Sequence, residues 1–230
     1  PTGHLYYKAG TVLNSSDQFR ITLNGQQTHG SAPWSGADPI VASSAVIGGL
    51  QTLVSRRADL SQGMAVVSVG TINGGSASNI IPQTVELTGT IRSNSPAIRD
   101  TILKKMPPLV QGIASAYETR GDLLLLNHTP VTVNNPGLTE AMVPALELAA
   151  PGKVERLPAS LSPSEDFSYY AQKVPGLFVF LGATPADQDM ASAPNNHSPY
   201  FTADDATLAT GVKAHVQFVL NYPGRANSKS

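Results

Sequence analysis

The sequence contains no cysteine. A disulfide framework, a cysteine-rich zinc module and a cysteine nucleophile are therefore excluded. Charge is scarce as well: charged residues make up 13% of the 230, about half the usual share. Fifteen basic residues face sixteen acidic ones, for a net charge of −1. That balance gives no basic face for a nucleic acid. No run of 18 apolar residues occurs, so no membrane span is expected. Several catalytic signatures are missing too. There is no HExxH, no P-loop and no dinucleotide fingerprint. Gly74-Gly75-Ser76-Ala77-Ser78 lacks the second glycine of a GxSxG elbow, and no strand-to-helix turn follows it. The chain starts Pro1-Thr2-Gly3, without Met or a basic stretch leading into an apolar one. Any leader is expected upstream or already removed, and the start hints at a piece of something longer. Low charge with many Ser, Thr, Asn and Gln leans towards an extracytoplasmic protein over a cytoplasmic one.

What is present supports a folded chain. Apolar residues reach 41%, enough for an ordinary core in one large domain or two modest ones. Residues 17–24 alternate, with Phe19, Ile21 and Leu23 facing one way, and predict a half-buried strand. A Gly- and Pro-rich loop follows, holding His29-Gly30-Ser31 and Pro33-Trp34. Asp38-Pro39 predicts a helix start, an N-cap followed by proline at the first helical position. Ile40, Ile47, Leu50 and Val54 continue at helical spacing, and Arg56-Arg57 suit the C-terminal end. Two strands are expected over 64–72 and 84–92, joined by the Gly-rich 73–79. Ser95-Pro96 opens a second helix to about Thr119, with a kink or break expected near Met106 because Pro107-Pro108 remove helical hydrogen bonds. A further strand begins at Leu123. The order over residues 15–130 is β-α-β-β-α-β, the ferredoxin-like pattern, with one sheet face left open for a partner.

Residues 131–230 predict something different. A helix is expected around 137–150, a short strand over 154–157 and a short helix over 164–172 capped by Ser164. Gly176 to Gly182 encloses an apolar run typical of a strand buried on both faces. Asp204-Asp205 caps a last helix to about Leu220. One or two buried strands cannot make a covered parallel sheet, so the remaining strands must come from elsewhere. The fold class is α/β with an α+β lid. The chain divides into residues 1–14 as a linking segment, 15–130 as the ferredoxin-like domain, and 131–230 as an incomplete α/β segment.

Five histidines are present: His4, His29, His128, His197 and His215. No two lie four apart on one expected helix, so spacing defines no self-contained zinc site. His197, in Asn195-Asn196-His197-Ser198-Pro199, follows a buried strand, where α/β sheets place ligands. It could bind a metal or be a loop histidine satisfied by solvent. His29 could stabilise developing charge on a carbonyl oxygen, or be a turn residue. Glu165-Asp166 could be paired acid and base, or the acidic first turn of a helix. Arg92, at the end of a strand, could hold a carboxylate by two hydrogen bonds, or be an exposed strand-end arginine. Asn79 lies just before the same strand.

Taken together, these segments resemble a known family. Thr28-His29-Gly30-Ser31-Ala32-Pro33, Gly36-Ala37-Asp38-Pro39-Ile40 and residues 50–56 resemble the dimerisation (lid) domain of the dinuclear-metal amidohydrolases, which include aminoacylases, hippurate hydrolases, indole-acetyl-amino-acid hydrolases and glutamate carboxypeptidases. Asn79-Ile80-Ile81-Pro82 and Gly89-Thr90-Ile91-Arg92 resemble two further lid motifs. Ser164 to Tyr170 and Asn196 to Phe201 resemble the C-terminal part of the catalytic domain. The resemblance implies that His29 polarises the scissile carbonyl in the active site of the other subunit. It implies substrate-holding roles for Asn79 and Arg92, a metal-ligand role for His197, and a place for Glu165 just outside the metal site. It also implies two divalent ions, zinc or manganese, in the complete parent, a homodimer through the lid, and N-acyl amino acid or small peptide substrates.

Departures from the family pattern bear on activity. The family's His-x-Asp, Cys-x-His and Glu-Glu metal motifs, and its general base, do not occur here. Pro163 stands where a small flexible residue is usual, and Pro107-Pro108 fall in a helix normally continuous. The chain alone is therefore expected to bind metal weakly or not at all and to be an incompetent hydrolase. The alternative is a non-catalytic dimerisation or small-molecule-binding module.

Overall fold

A computed structural model describes residues 1–222. In chain order the strands are β1 (Leu5–Tyr7), β2 (Gly10–Leu13), β3 (Ser15–Asn24), β4 (Thr28–His29), β5 (Ala65–Gly74), β6 (Ile80–Ile81), β7 (Thr84–Ser93), β8 (Arg120–Thr129), β9 (Thr132–Asn134), β10 (Val154–Arg156) and β11 (Phe180–Leu181). The α-helices are α1 (Pro39–Thr52), α2 (Pro96–Ala116), α3 (Pro136–Ala149), α4 (Phe167–Ala171) and α5 (Ala206–Asn221). The chain forms two compact units. One, the lid unit, comprises Leu13–Thr132 and Ser162–Ser168; the other comprises Pro1–Val12, Val133–Leu161 and the chain from Tyr169 onward.

The lid unit is built on an antiparallel sheet ordered β5-β7-β3-β8. Alternation in β3 turns Ser15, Asp17, Phe19, Ile21 and Leu23 inward. Its register with β7 runs from Ser15 opposite Ser93 to Asn24 opposite Thr84. Gly89 sits across from Phe19, and a Cβ there would overlap the Phe19 ring and the Ser68 carbonyl, so the close packing requires glycine. Helices α1 and α2 lay Ala42, Val46 and Leu50, and Ile98, Ile102, Met106, Val110 and Ala114, into one core with the inward sheet residues. Spacings of four put each set on one helix face. At the N-termini, Asp38 accepts hydrogen bonds from Ile40 and Val41, and Ser95 accepts one from Ile98. The Asp17 carboxylate, fully buried, takes two hydrogen bonds from Arg99 at 2.9 and 2.7 Å. This is the expected ferredoxin-like order.

Two expectations for the lid unit change. Ile40 is 43% exposed, and the inward face of α1 is Pro39, Ala42, Ser43, Val46 and Leu50. Small residues on that face let the helix lie close to the sheet, while Ile47 and Val54 pack at the margin. The break expected near Met106 is absent: α2 runs unbroken through Pro107 and Pro108. The two carbonyls left without a helical donor belong to Leu103, half-buried, and Lys104, exposed. Met106 and Val110, both fully buried, bracket the prolines and hold the turn by packing.

The second unit has a three-stranded sheet with β1 at its centre, parallel to β10 and antiparallel to β11. The segment expected only to link thus carries a strand of its own. Leu5 and Tyr7 pack with Leu146, Ala149 and Ala150 of α3 and the residue after it. Asn134, fully buried, donates to the Lys8 and Phe178 carbonyls and accepts from the Phe178 amide. Only Phe180–Leu181 of the apolar run 176–182 is strand, and Leu181 is exposed, so this run is not a strand buried on both faces. Sequence hydrophobicity could not supply the missing neighbours. The short helix begins at Phe167, leaving Ser164 outside it. For α5, Asp204, not Asp205, makes the capping bond, accepting from the Ala206 amide. Among the described residues no helix is long and apolar enough to cross a membrane.

Candidate functional site

The short strands β4 and β6 pair antiparallel, with His29 opposite Ile80 and Thr28 opposite Ile81. The Gly30 amide donates to the Asn79 carbonyl at 2.7 Å. A Cβ at Gly30 would sit 3.2 Å from the Asn79 carbonyl carbon and oxygen, so the small residue permits the close approach. His29 and Asn79 are thereby held side by side, both exposed. The Ser31 amide donates to His29 Nδ1 at 3.1 Å, with Ser31 Oγ 2.7 Å from the same atom. Nδ1 therefore acts as an acceptor, and the neutral ring, assigned from this network, carries its proton on Nε2. The exposed imidazole is thus oriented as a hydrogen-bond donor, the role a developing oxyanion needs. Ser31 was not singled out in the sequence. Its position two residues after His29 was the only available signal.

Arg92 lies at the other end of β7, opposite Ser16 of β3 and Val66 of β5. Its Nη1 reaches Ser164 Oγ at 3.4 Å. The segment Ser162–Ser168 folds with the lid unit. The Asn14 amide donates to the Pro163 carbonyl at 3.0 Å, and Thr132 Oγ1 reaches the Glu165 carbonyl at 3.4 Å. Glu165 turns one carboxylate oxygen back to the Asp166 amide at 2.9 Å. Arg92 and Glu165 thus share one end of the lid sheet.

The structure does not bring the four lid residues together. Eight residues of extended chain at about 3.3 Å each put Arg92 about 26 Å from Thr84. Strand β4 follows β3 and β6 precedes β7 in the chain, so their ladder is joined to the Asn24–Thr84 end of the register, the end opposite Arg92. His29 and Asn79 make one cluster, and Arg92 with Glu165 makes another. His197 belongs to the second unit, exposed, in a turn where the Asn195 side chain accepts from its amide at 3.0 Å. Among the described residues, no three His, Asp or Glu side chains gather where they could hold a metal ion. The described residues therefore do not complete a metal centre by themselves.

Residues 13–118 match the model of the peptidase dimerisation domain of the M20 type. The stretch that forms most of the lid unit thus matches a peptidase dimerisation domain, and the relatives the whole chain resembles include deacetylases and carboxypeptidases. It is 32% identical over 206 residues to the N-acetyl-L-cysteine deacetylase of Bacillus subtilis, covering 90% of this chain and 47% of that protein. It is 34% identical over 220 residues to the N-acetyldiaminopimelate deacetylase of Leuconostoc mesenteroides, covering 95% and 55%. A crystal structure from methicillin-resistant Staphylococcus aureus superposes with a TM-score of 0.87 at 32% identity, over 96% of this chain and 56% of the other. The Bacillus subtilis YXEP protein, a dinuclear metal-binding peptidase from the M20 family, gives 0.70 at 26% identity, over 96% and 54%. The chain spans about half the length of the curated relatives it matches.

Proposed function

We infer that this chain is the lid and C-terminal catalytic part of a metal-dependent amidohydrolase acting on N-acyl amino acids or small peptides. Residues 15–130 serve as the lid and 131–230 as the catalytic part, with 1–14 leading in and lending β1 to the sheet of the catalytic part, and Ser162–Ser168 folding back onto the lid. The observation that carries the reading is the pair of clusters, one at the Arg92 end of the lid sheet and one in the small β4–β6 ladder that adjoins its other end. A small acyl-amino acid cannot span about 26 Å of extended strand. Both clusters can serve one substrate only when two copies of the chain each contribute one, so the working unit is a homodimer through the lid.

Each residue has a chemical task in that unit. The His29 Nε2–H donates to the scissile carbonyl oxygen and gains strength as negative charge grows there. The Asn79 amide offers a second donor beside it. The Arg92 guanidinium holds the substrate carboxylate by two charge-assisted hydrogen bonds. Glu165 orders the loop that places Ser164 against Arg92. His197 is offered as a metal ligand. The other ligands, for zinc or manganese, and the general base are not among the groups gathered here. By itself the chain is then an incompetent hydrolase.

The test is hydrolysis of N-acetyl and N-benzoyl amino acids by the purified chain, with bound metal measured by mass spectrometry. The expected result is no turnover above that of the His29→Asn variant, less than one tightly bound ion per chain, and a dimer in sedimentation. Full turnover overturns the incompetence, and a strict monomer at high concentration overturns the shared site. The second reading, a non-catalytic binding module, is favoured because no three metal-binding side chains gather among the described residues. It predicts ligand binding indifferent to Arg92→Met.

A further inference from the structure

We propose that Trp34 is the platform on which the apolar acyl group of the substrate rests, so that the chain selects aromatic over small acyl groups. The proposal rests on the amidohydrolase reading above.

Trp34 is the sole tryptophan of the chain and is 82% exposed. Such an indole is costly to leave in water, since its full burial would remove about 150–250 Å² from solvent. It is not on a loose loop. The Ala32 amide donates to the His29 carbonyl, Ser35 to Ala32, and Gly36 to Pro33. Thr28 Oγ1 and Ser35 Oγ meet at 2.7 Å, and the loop is closed at its base by the Gln26–Ala37 bridge. Trp34 is therefore carried on the same hydrogen-bonded loop as His29, five residues along. A rigid, exposed aromatic loses little conformational entropy on binding, which suits it to recognition.

The chemistry of the remaining groups points to the occupant. An N-acyl amino acid has a carboxylate, an amide carbonyl and an acyl chain. Arg92 suits the first, His29 and Asn79 the second, and all three are polar. The third is apolar, and Trp34 is the large apolar side chain borne by the His29 loop. Stacking of an aryl acyl group on the indole face adds to simple area burial.

The single tryptophan makes the test direct. N-acetyl- and N-benzoyl-amino acids are titrated into the full chain while its emission is followed, and their affinities are measured by calorimetry. The expected result is a saturable emission change, with the benzoyl compound bound about tenfold tighter (about 1.4 kcal/mol). Trp34→Ala is expected to bring that ratio to about one, and Trp34→Phe to restore most of it. His29→Asn and Arg92→Met are expected to weaken both compounds alike. A benzoyl preference that survives Trp34→Ala overturns this inference and leaves the amidohydrolase reading standing. Binding indifferent to both His29→Asn and Arg92→Met, or no binding of either compound, overturns both. Emission that shifts with protein concentration but not with ligand assigns the indole to a contact between copies, and also overturns the inference.

Discussion

The two units of this chain are built to different degrees of closure. The main sheet of the lid unit has four strands, each ten residues long, with two helices over one face. Its core is continuous and includes sixteen buried residues. The β10-β1-β11 sheet of the second unit has strands of three, three and two residues, and the buried apolar residues around it fall into two small clusters. On α5, Leu208 and Val212 are each 64% exposed, with Val216 and Val219 on the same stripe. Half-buried strands of good length with alternating side chains can close a core by themselves. Strands of two or three residues depend on clamps such as Asn134 to hold them in register.

That contrast can be broken by measurement, and the largest effect is expected in the lid core. Phe19→Ala, at a fully buried position, should cost about 3–5 kcal/mol in urea denaturation. Val212→Ser, on the open stripe of α5, should move stability by less than about 0.5 kcal/mol. Comparable losses from both would mean that the stripe is packed in solution.

The next effect is expected at the clamp. Asn134→Ala removes three hydrogen bonds to the part-buried backbone of Lys8 and Phe178, at a cost of about 2 kcal/mol. Faster amide exchange at Phe178 should accompany it, with the lid sheet unaffected. Exchange that rises equally in β3 would show that the two units unfold as one.

The smallest effect is expected at the start of α5. The Ala206 amide and then the Thr2 hydroxyl hold the Asp204 carboxyl below the usual carboxylate range. Since the native value lies below the unfolded one, the contribution to stability is present above the ordinary carboxylate range. It is lost as pH falls through the lowered native value. Asp204→Asn should flatten the acid limb of the stability curve of the second unit, and Thr2→Val should do so in part. An unchanged limb would show that this end of α5 is held by packing alone.

Much of the lid unit was legible because its signals are local. Alternation over 17–24 and caps at Asp38 and Ser95 act between residues a few positions apart. The second unit was harder to read because its sheet joins residues about 150 positions apart, as Leu5 pairs with Val154. Nothing within three residues of Leu5 marks it as the middle of a sheet. At the site, the residue types of His29, Asn79, Arg92 and Glu165 stood out by motif. The role of Ser31 in setting the proton of His29 did not, because a serine in a Gly-rich loop has many unremarkable uses.

The chain by itself determined which segments become helix or strand in the lid and which side chains could do acyl chemistry, since capping, alternation and functional groups are properties of neighbouring residues. Only the tertiary structure decided that helix α2 survives its two prolines, because burial of Met106 and Val110 outweighs two missing hydrogen bonds. It alone decided that Arg92 with Glu165 stands at one end of the lid sheet and His29 with Asn79 in the small ladder adjoining the other, because strand register converts sequence order into distance.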